Sequence, residues 1–430
     1  ELVFRLPSTL DFVATGDRAE RTLEGDIAIH RVSVAEPVRT FGFNIGKYKS
    51  VQEERNGFAI HVHANKQVET ALEPSTRVVV VPSSAPPSRR NPMGQQIATV
   101  SPSRPDPTRR LHDLAKEVGS LMEKLSARFG PPPLKVIHVS PIPGHFGQGY
   151  TGMIYLSTIS YLPEADRPAY ARQAMTTTFF SDLLLAHEVA HQWWGNSVYA
   201  ESDQDEWLME GLASYTALMM MEEQKGKRAV QDVLRAYRDN LIASQGDGRS
   251  VESAGPIIWG GRLSNSQDKN AWTTITYEKG AWIFHMLRAR MGDEAFNRML
   301  SELARKFYRK PISTAAFREF AVDFMPEKGE DHDLEEFFGQ WVESTGIPQI
   351  NLRTEVTGRP PRVKVTGSLE QSKVPDDFGA LAPIHIRFPR GKSEIRWVRA
   401  ANDGEDIDWT FSAIPTKIEL DPEGQVLRRE

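Results

Sequence analysis

The chain has 430 residues, with 52 basic and 57 acidic side chains and a formal net charge of −5. This balance argues against a dedicated nucleic-acid-binding protein, which normally carries a basic excess. The chain has no cysteine, so disulfides and thiolate ligands are excluded and any metal site must use His, Asp and Glu. No apolar run approaches the roughly 18 residues of a membrane helix, and the length predicts two to four domains.

The chain begins inside a predicted strand, Leu2–Leu6, without an initiator Met or an apolar leader. Either a leader or upstream segment has been removed, or the sequence has been shortened. The first alternative leads us to expect a secreted, periplasmic or cell-envelope-associated protein.

The first 70 residues are rich in β-branched and aromatic side chains, with glycines between the runs. Ile27–Val34 and Phe58–His63 are predicted strands. The stretch at about 82–107 is rich in Pro and Ser and is predicted to be a linker or surface insertion.

From Leu111 to about Gly130, apolar residues recur every three or four positions, which predicts an amphipathic helix. Strands are predicted at Val136–Val139 and Tyr150–Leu156. Residues 177–341 are predicted to be mostly helical, with helix ends at Gly195, Gly226, Gly292 and Pro326. Short strands separated by turns follow Ile347 and predict a small β-sandwich of about 80 residues.

The sequence H-E-x-x-H occurs at residues 187–191 within an apolar segment without proline. On a helix, His187 and His191 project from one face, one turn apart, where both imidazoles can bind a single zinc ion. Glu188 lies beside the metal position, where it can accept a proton from water. This pattern predicts a hydrolytic zinc site.

The third ligand is predicted on the next helix. Glu210 follows His191 by 19 positions, enough for a turn and an antiparallel return, and it lies in an apolar stretch where an unpaired carboxylate would be costly. Ser202 and Asp205 form a predicted capping box at the start of this helix. Asp205 is also a candidate to orient a ligand histidine.

These motifs resemble the aminopeptidase N-like family of gluzincin metallopeptidases, whose signature is H-E-x-x-H, eighteen residues and then E. The matching segments are His187–Asn196, with the sequence HEVAHQWWGN, and Trp207–Gly211, with the sequence WLMEG. Thr276–Trp282 resembles the Y-x-K-G motif of the family. The resemblance implies one Zn²⁺ per chain and a role for Tyr277 as a hydrogen-bond donor to the oxyanion, since a phenol keeps its proton at neutral pH.

The resemblance also implies a multidomain α+β fold. We expect a partial N-terminal β domain at 1–50 and a C-terminal small β-sandwich at 344–430. Between them, residues 51–343 are expected to form a thermolysin-like, mainly α-helical catalytic domain with a small β-sheet. The early N-terminal strands and the large C-terminal helical domain of the family have no counterpart in the sequence.

The family's G-x-M-E-N strand, whose glutamate binds the free amino group of the substrate, is altered. If Met153 aligns with the methionine, Ile154 replaces the glutamate and cannot pair with an ammonium group. Glu201 or a carboxylate of the N-terminal domain could substitute. The strand can still bind a peptide backbone, which makes Gly149, Tyr150, Gly152 and Met153 the candidate substrate-binding residues. His145 is predicted to be an ordinary loop histidine.

The predicted function is therefore zinc-dependent hydrolysis of peptide bonds in an aminopeptidase-like mode. One alternative is an endopeptidase or oligopeptidase on the same scaffold, which Ile154 favours. An alternative of another class is a catalytically silent, zinc-stabilised binding module. We expect a monomer that binds peptides, without a nucleic-acid partner or an integral membrane segment in this chain.

Overall fold

A computed structural model of the protein describes residues 1–73, 77–82, 95–100, 104–244, 246, 248–327 and 329–430. The described chain forms two compact units, residues 1–123 with 134–189 and residues 124–133 with 190–430. The predicted insertion at about 82–107 lies mostly outside the described residues. The division into three domains at 1–50, 51–343 and 344–430 stays a prediction.

The first unit is built mainly of strands. In chain order these are β1 (Leu2–Pro7), β2 (Asp11–Ala14), β3 (Arg18–Glu24), β4 (Ile27–Ser33), β5 (Phe43–Gly46), β6 (Tyr48–Arg55), β7 (Phe58–Asn65), β8 (Arg77–Pro82), β9 (Gln95–Val100), β10 (Val136–Ile142), β11 (Gln148–Tyr150) and β12 (Met153–Ser157). The largest sheet has the order β11-β12-β10-β7-β6, and β1-β4-β3, β2-β5 and β8-β9 form smaller sheets. Parallel pairing of β10 with both β7 and β12 places its apolar side chains in the core.

Helix α1 (Leu111–Phe129) covers one face of this sheet with its first two-thirds. A Cβ built on Gly119 would lie 3.1 Å from Ile60 Cδ1, so the helix backbone approaches β7 closely. Arg55 Nε donates to Glu123 Oε2 at 2.7 Å at the rim of this contact. The predicted amphipathic helix is confirmed, because the spaced side chains Leu111, Leu114, Val118 and Leu121 are buried.

The region predicted as one strand, Tyr150–Leu156, is a hairpin instead. β11 and β12 pair antiparallel and are joined by a turn at Thr151 and Gly152. Gly152 has φ +67°, a conformation that only glycine adopts without strain, so the chain reverses there. The prediction of a continuous strand was wrong because it weighed the apolar run more heavily than this glycine.

Short helices connect the hairpin to the next segment of the chain. They are α2 (Thr158–Tyr161), α3 (Ala174–Thr178) and α4 (Leu184–Ala190), the last preceded by a π-helical turn at Phe179–Leu183. The boundary between the units falls inside α4, after Val189.

The second unit is mainly helical up to residue 341. Its helices are α5 (Glu206–Lys225), α6 (Lys227–Ile242), α7 (Ala271–Thr273), α8 (Gly280–Met291), α9 (Asp293–Lys306), α10 (Thr314–Val322) and α11 (Glu335–Trp341). Short 3-10 turns occur at Asp203–Asp205, Val251–Ala254 and Ile257–Asn265, and a π-helical turn at Thr274–Lys279. Gly226 and Gly292 end α5 and α8 at φ +83°, as predicted.

Strands complete the second unit. They are β13 (Val198–Ala200), β14 (Lys310–Ile312), β15 (Gln349–Arg359), β16 (Arg362–Ser372), β17 (Leu381–Arg387), β18 (Ser393–Arg399), β19 (Glu405–Phe411) and β20 (Lys417–Leu420). β15-β16-β19 and β18-β17-β20 are antiparallel three-stranded sheets in the region predicted as a β-sandwich. The mixed helical and sheet content agrees with the predicted multidomain α+β class. None of the helices in the described part of the chain combines the length and hydrophobicity required to span a membrane.

Candidate metal centre

Helix α4 carries the first histidine and Glu188, and His191 is the first residue after it. The segment is anchored by buried apolar side chains on the helix, among them Leu184, Val189 and Ala190. His191 and Glu188 are themselves buried. A histidine pair four residues apart in such a segment presents both rings on one side, as the sequence predicted.

The structure brings the three predicted ligands together. One nitrogen of His187, one nitrogen of His191 and one carboxylate oxygen of Glu210 lie within 4.8 Å of one another. His191 Nε2 and Glu210 Oε2 are 3.3 Å apart. Two imidazoles and a carboxylate are the donor set of many catalytic zinc sites, which keep a fourth position open.

The ring of His191 is held in the orientation that a metal ligand needs. Its Nδ1 lies 2.7 Å from the carbonyl oxygen of Trp194. Because a carbonyl can only accept a hydrogen bond, Nδ1 carries the proton and Nε2 keeps its lone pair toward Glu210. The donor set therefore fits a zinc ion.

The W-W-G-N sequence after His191 builds this arrangement. Gly195 has φ +106°, which turns the chain so that the Trp194 carbonyl faces the ring. Asn196 Nδ2 donates to the carbonyl oxygen of His191 at 2.7 Å. Trp193 and Trp194 are almost fully buried, and their indole N–H groups donate to the Gly130 carbonyl and to Thr216 Oγ1, respectively.

The predicted capping box before α5 is present. Asp205 Oδ2 accepts hydrogen bonds from the backbone N–H and the hydroxyl of Ser202, and Oδ1 accepts from the N–H of Thr314 at 2.7 Å. These bonds show Asp205 fixing the start of α5 and of α10. Glu210 follows one turn later, and its side chain is 19% exposed.

Two glycines bring the ligand helix α5 against the start of α8. A Cβ built on Gly211 would lie 2.9 Å from the Phe284 ring and 3.1 Å from the carbonyl carbon of Gly280. A Cβ on Gly280 would lie 3.0 Å from the Cα of Gly211. The glycine next to Glu210 and the glycine of the Y-x-K-G motif therefore permit the backbones to touch.

Tyr277 lies in the π-helical turn that precedes α8. Its ring packs edge-on against Trp272, with centroids 5.6 Å apart. The next residue, Glu278, accepts a hydrogen bond from Asn240 Nδ2 at 3.0 Å, and burial raises the pKa of its carboxyl group to about 8. The role of Tyr277 as a donor to the oxyanion stays a prediction.

The H-E-x-x-H pattern does not predict one contact of Glu188, which is its contact with Gly147. A Cβ built on Gly147 would lie 2.5 Å from Glu188 Oε1, so the backbone just before β11 passes directly over the carboxylate. Any other side chain at position 147 would displace the predicted base.

The predicted substrate-binding residues lie in or beside the hairpin. Gly149 and Tyr150 belong to β11, at the edge of the described sheet, and Gly152 forms the turn. The Met153 side chain is fully buried in a cluster with Val13 and Tyr48. Substrate binding by these residues stays a prediction, and for Met153 it can involve only the backbone. The loop residue His145 packs against Tyr170, with ring centroids 5.1 Å apart.

Comparisons with known proteins point to one family. Residues 158–341 match the sequence profile of the Peptidase family M1 domain. The chain is 32% identical over 179 residues to Aminopeptidase N of Haemonchus contortus, covering 39% of this chain and 18% of that protein. It is 28% identical over 206 residues to Glutamyl aminopeptidase of Sus scrofa, covering 48% of this chain and 21% of that protein. The chain thus spans only about a fifth of the length of these curated relatives.

Proposed function

The chain carries a Peptidase family M1 domain and is aminopeptidase N-like, and from this premise we propose that it hydrolyses peptide bonds with one zinc ion held by His187, His191 and Glu210. The observation that carries the proposal is the convergence of these three side chains beside a buried glutamate, Glu188. Zinc, when bound, supplies a Lewis acid that lowers the pKa of water and polarises the scissile carbonyl.

The residues of the chain then perform the proton transfers. Glu188 accepts a proton from the attacking water and delivers it to the leaving amine as the peptide bond breaks. Its burial and the backbone of Gly147 above it limit the positions that its carboxylate can take. The Tyr277 hydroxyl donates a hydrogen bond to the oxyanion of the tetrahedral intermediate.

The relatives favour an aminopeptidase-like mode of cleavage. A second candidate, an endopeptidase or oligopeptidase mode, is favoured by Ile154, which is fully buried where the family places its amine-binding glutamate. The two modes share the same metal centre and the same roles for Glu188 and Tyr277. They differ in whether a free amino group is required.

The Glu188→Gln variant tests the proposed chemistry. Glutamine keeps the shape of the side chain but cannot accept the proton, so we expect full zinc content and a loss of kcat on the order of 10³-fold or more. Zinc would be measured by atomic emission and turnover with fluorogenic peptides. Glu294→Gln, which changes an exposed glutamate of α9, is the matched control and should behave like the unaltered protein.

Wild-type turnover by Glu188→Gln would overturn the assignment of the base. If the unaltered protein binds one zinc ion per chain but hydrolyses none of the fluorogenic peptides, the result would instead support the catalytically silent binding module.

A further inference from the structure

A fully buried ion pair lies two residues beyond Tyr277. Lys279 Nζ is 2.7 Å from Glu252 Oε1, and the two side chains are 0% and 1% exposed. Removing two charges from water is costly, and a pair of this kind is weak evidence for stability by itself. Its hydrogen-bond partners point to a geometric role at this place in the fold.

The pair joins three segments that are distant in the sequence. Both carboxylate oxygens of Glu252, in the turn Val251–Ala254, accept from the backbone N–H of Gly346 at 3.0 Å. Lys279 Nζ also lies 3.4 Å from the carbonyl oxygen of Ser344. The residues 344–346 lead directly into β15, so the first turn after α11 takes part in the network.

The pair is attached to the end of the π-helical turn that carries Tyr277. Lys279 is the last residue of that turn, and Gly280, the next residue, contacts the backbone of Gly211 beside the ligand Glu210. A π-helical turn departs from the regular helical hydrogen-bond spacing and is normally stabilised by its surroundings. Lys279 is therefore held from one side by Glu252 while the following backbone rests on α5.

We propose that Glu252 and Lys279 are positioning residues that hold the π-helical turn so that the Tyr277 hydroxyl meets the oxyanion. The backbone of residues 344–346 completes their hydrogen bonding. This inference rests on the proposed function, since it acts through the role of Tyr277. A preorganised donor is effective only if it does not have to move during the reaction, and the buried pair supplies that restraint.

The test compares Tyr277→Phe, the double variant Glu252→Gln/Lys279→Met and the triple variant that combines them. The double variant removes both charges and so leaves no isolated buried charge. With zinc content unchanged, we expect it to lose kcat on the order of 10²-fold, with KM changed by less than about threefold, because the donor acts in the transition state. In the Tyr277→Phe background the same two changes should cause no further loss of kcat.

Arg290→Met/Asp331→Asn is the matched control. It removes another buried ion pair of the second unit, in which Arg290 Nη1 and Asp331 Oδ2 are 2.8 Å apart. Arg290 lies in α8, about 20 Å along the helix axis from Tyr277. This control should retain kcat even if its melting temperature falls. If the Glu252→Gln/Lys279→Met protein does not fold, the single variant Glu252→Asp takes its place. It keeps the negative charge beside Lys279 but draws the carboxylate back by about one methylene, so the same loss of kcat is expected.

Three outcomes would overturn the inference. A folded, zinc-loaded double variant with wild-type kcat would do so. So would an additional loss of the same size in the Tyr277→Phe background, which would mean that the pair acts independently of Tyr277. Wild-type kcat in Tyr277→Phe itself would overturn the oxyanion role in the proposed function, and the positioning role with it. The first two outcomes would overturn the positioning role alone, so the two failures can be told apart.

Discussion

Ile154 occupies the second position of β12, where it pairs with Val139 of β10 and Gly149 of β11. Its side chain and that of Val139 lie on one face of the sheet, and both are fully buried in the core. Position 154 therefore presents no polar group to a substrate. If Met153 aligns with the methionine of the family's G-x-M-E-N motif, the strand lacks the amine anchor of the family.

The endopeptidase or oligopeptidase mode that Ile154 favours predicts that the chain tolerates acetylation of a peptide's N-terminus, because no carboxylate at position 154 can bind the free ammonium group. Acetylated and free versions of the same fluorogenic peptides should give kcat/KM values within about tenfold of each other. A loss of more than about a hundredfold on acetylation would contradict this expectation. It would indicate that another carboxylate, such as Glu201, binds the amine, and it would favour the aminopeptidase-like mode.

At the scale of elements, the contact between α5 and α8 joins two motifs. Gly211 follows the predicted ligand Glu210, and Gly280 follows Lys279, so each motif ends in the residue that permits the close approach. The separation of these helices thus determines where Glu210 and the Tyr277 turn lie relative to each other within the second unit.

The Gly211→Ala variant should disturb this contact. Its added methyl group would lie 2.9 Å from the Phe284 ring and within 3.2 Å of the Gly280 backbone, so the helices must separate by several tenths of an ångström. We expect a destabilisation of about 1–3 kcal/mol, as for overpacked cores, together with a weaker affinity for zinc. Urea unfolding and zinc titration would measure both effects. Gly339→Ala, with open space around the new methyl group, is the control and should not reproduce them.

The grouping of the three candidate ligands could be predicted from the sequence because it depends on local spacing. His187 and His191 are one helical turn apart, and a single chain reversal brings Glu210 to them. The Glu252–Lys279 pair and the cover of Glu188 by Gly147 could not be predicted, because they join residues 27 and 41 positions apart in the chain. Such contacts depend on how elements pack, and hydrophobic periodicity does not specify them.

For the whole molecule, buried histidines make stability depend on pH. Burial lowers the pKa of His63 to about 4, of His138 to about 3 and of His285 to about 4. His63 Nε2 and His138 Nδ1 are 3.2 Å apart, so both rings cannot be charged at low cost. In the unfolded chain these groups take up protons near pH 6.5, whereas in the folded chain they remain neutral down to about pH 4.

Two buried carboxyl groups act in the opposite direction. Burial raises the pKa of Glu278 to about 8 and that of Asp421 to about 6. Their protonated forms persist in the folded state at pH values where the unfolded chain has released the protons. Their contribution to stability is therefore lost as pH rises through these values.

We expect the free energy of unfolding of the metal-free protein to be greatest near about pH 6 to 6.5. It should fall toward pH 4 because the unfolded state binds more protons, at about 1.4 kcal/mol per pH unit for each additional proton. Urea unfolding between pH 4.5 and 8 would measure the profile. The double variant His63→Gln/His138→Gln should lose less of its free energy of unfolding as the pH falls below 6. The variant Glu278→Gln should lose less of it as the pH rises toward 8. A profile that rises steadily as the pH falls from 6 would contradict the assignment.

The hydrogen bonds from Gly346 to Glu252 have a consequence for the modularity of the chain. The family resemblance predicts that the catalytic domain ends at residue 343, yet the backbone donor that completes the buried pair lies three residues beyond that predicted boundary. A protein shortened at 343 would keep every predicted ligand, base and oxyanion donor. It would nevertheless leave the Glu252 carboxylate without that partner, so the smallest unit that keeps the buried pair complete extends at least to Gly346.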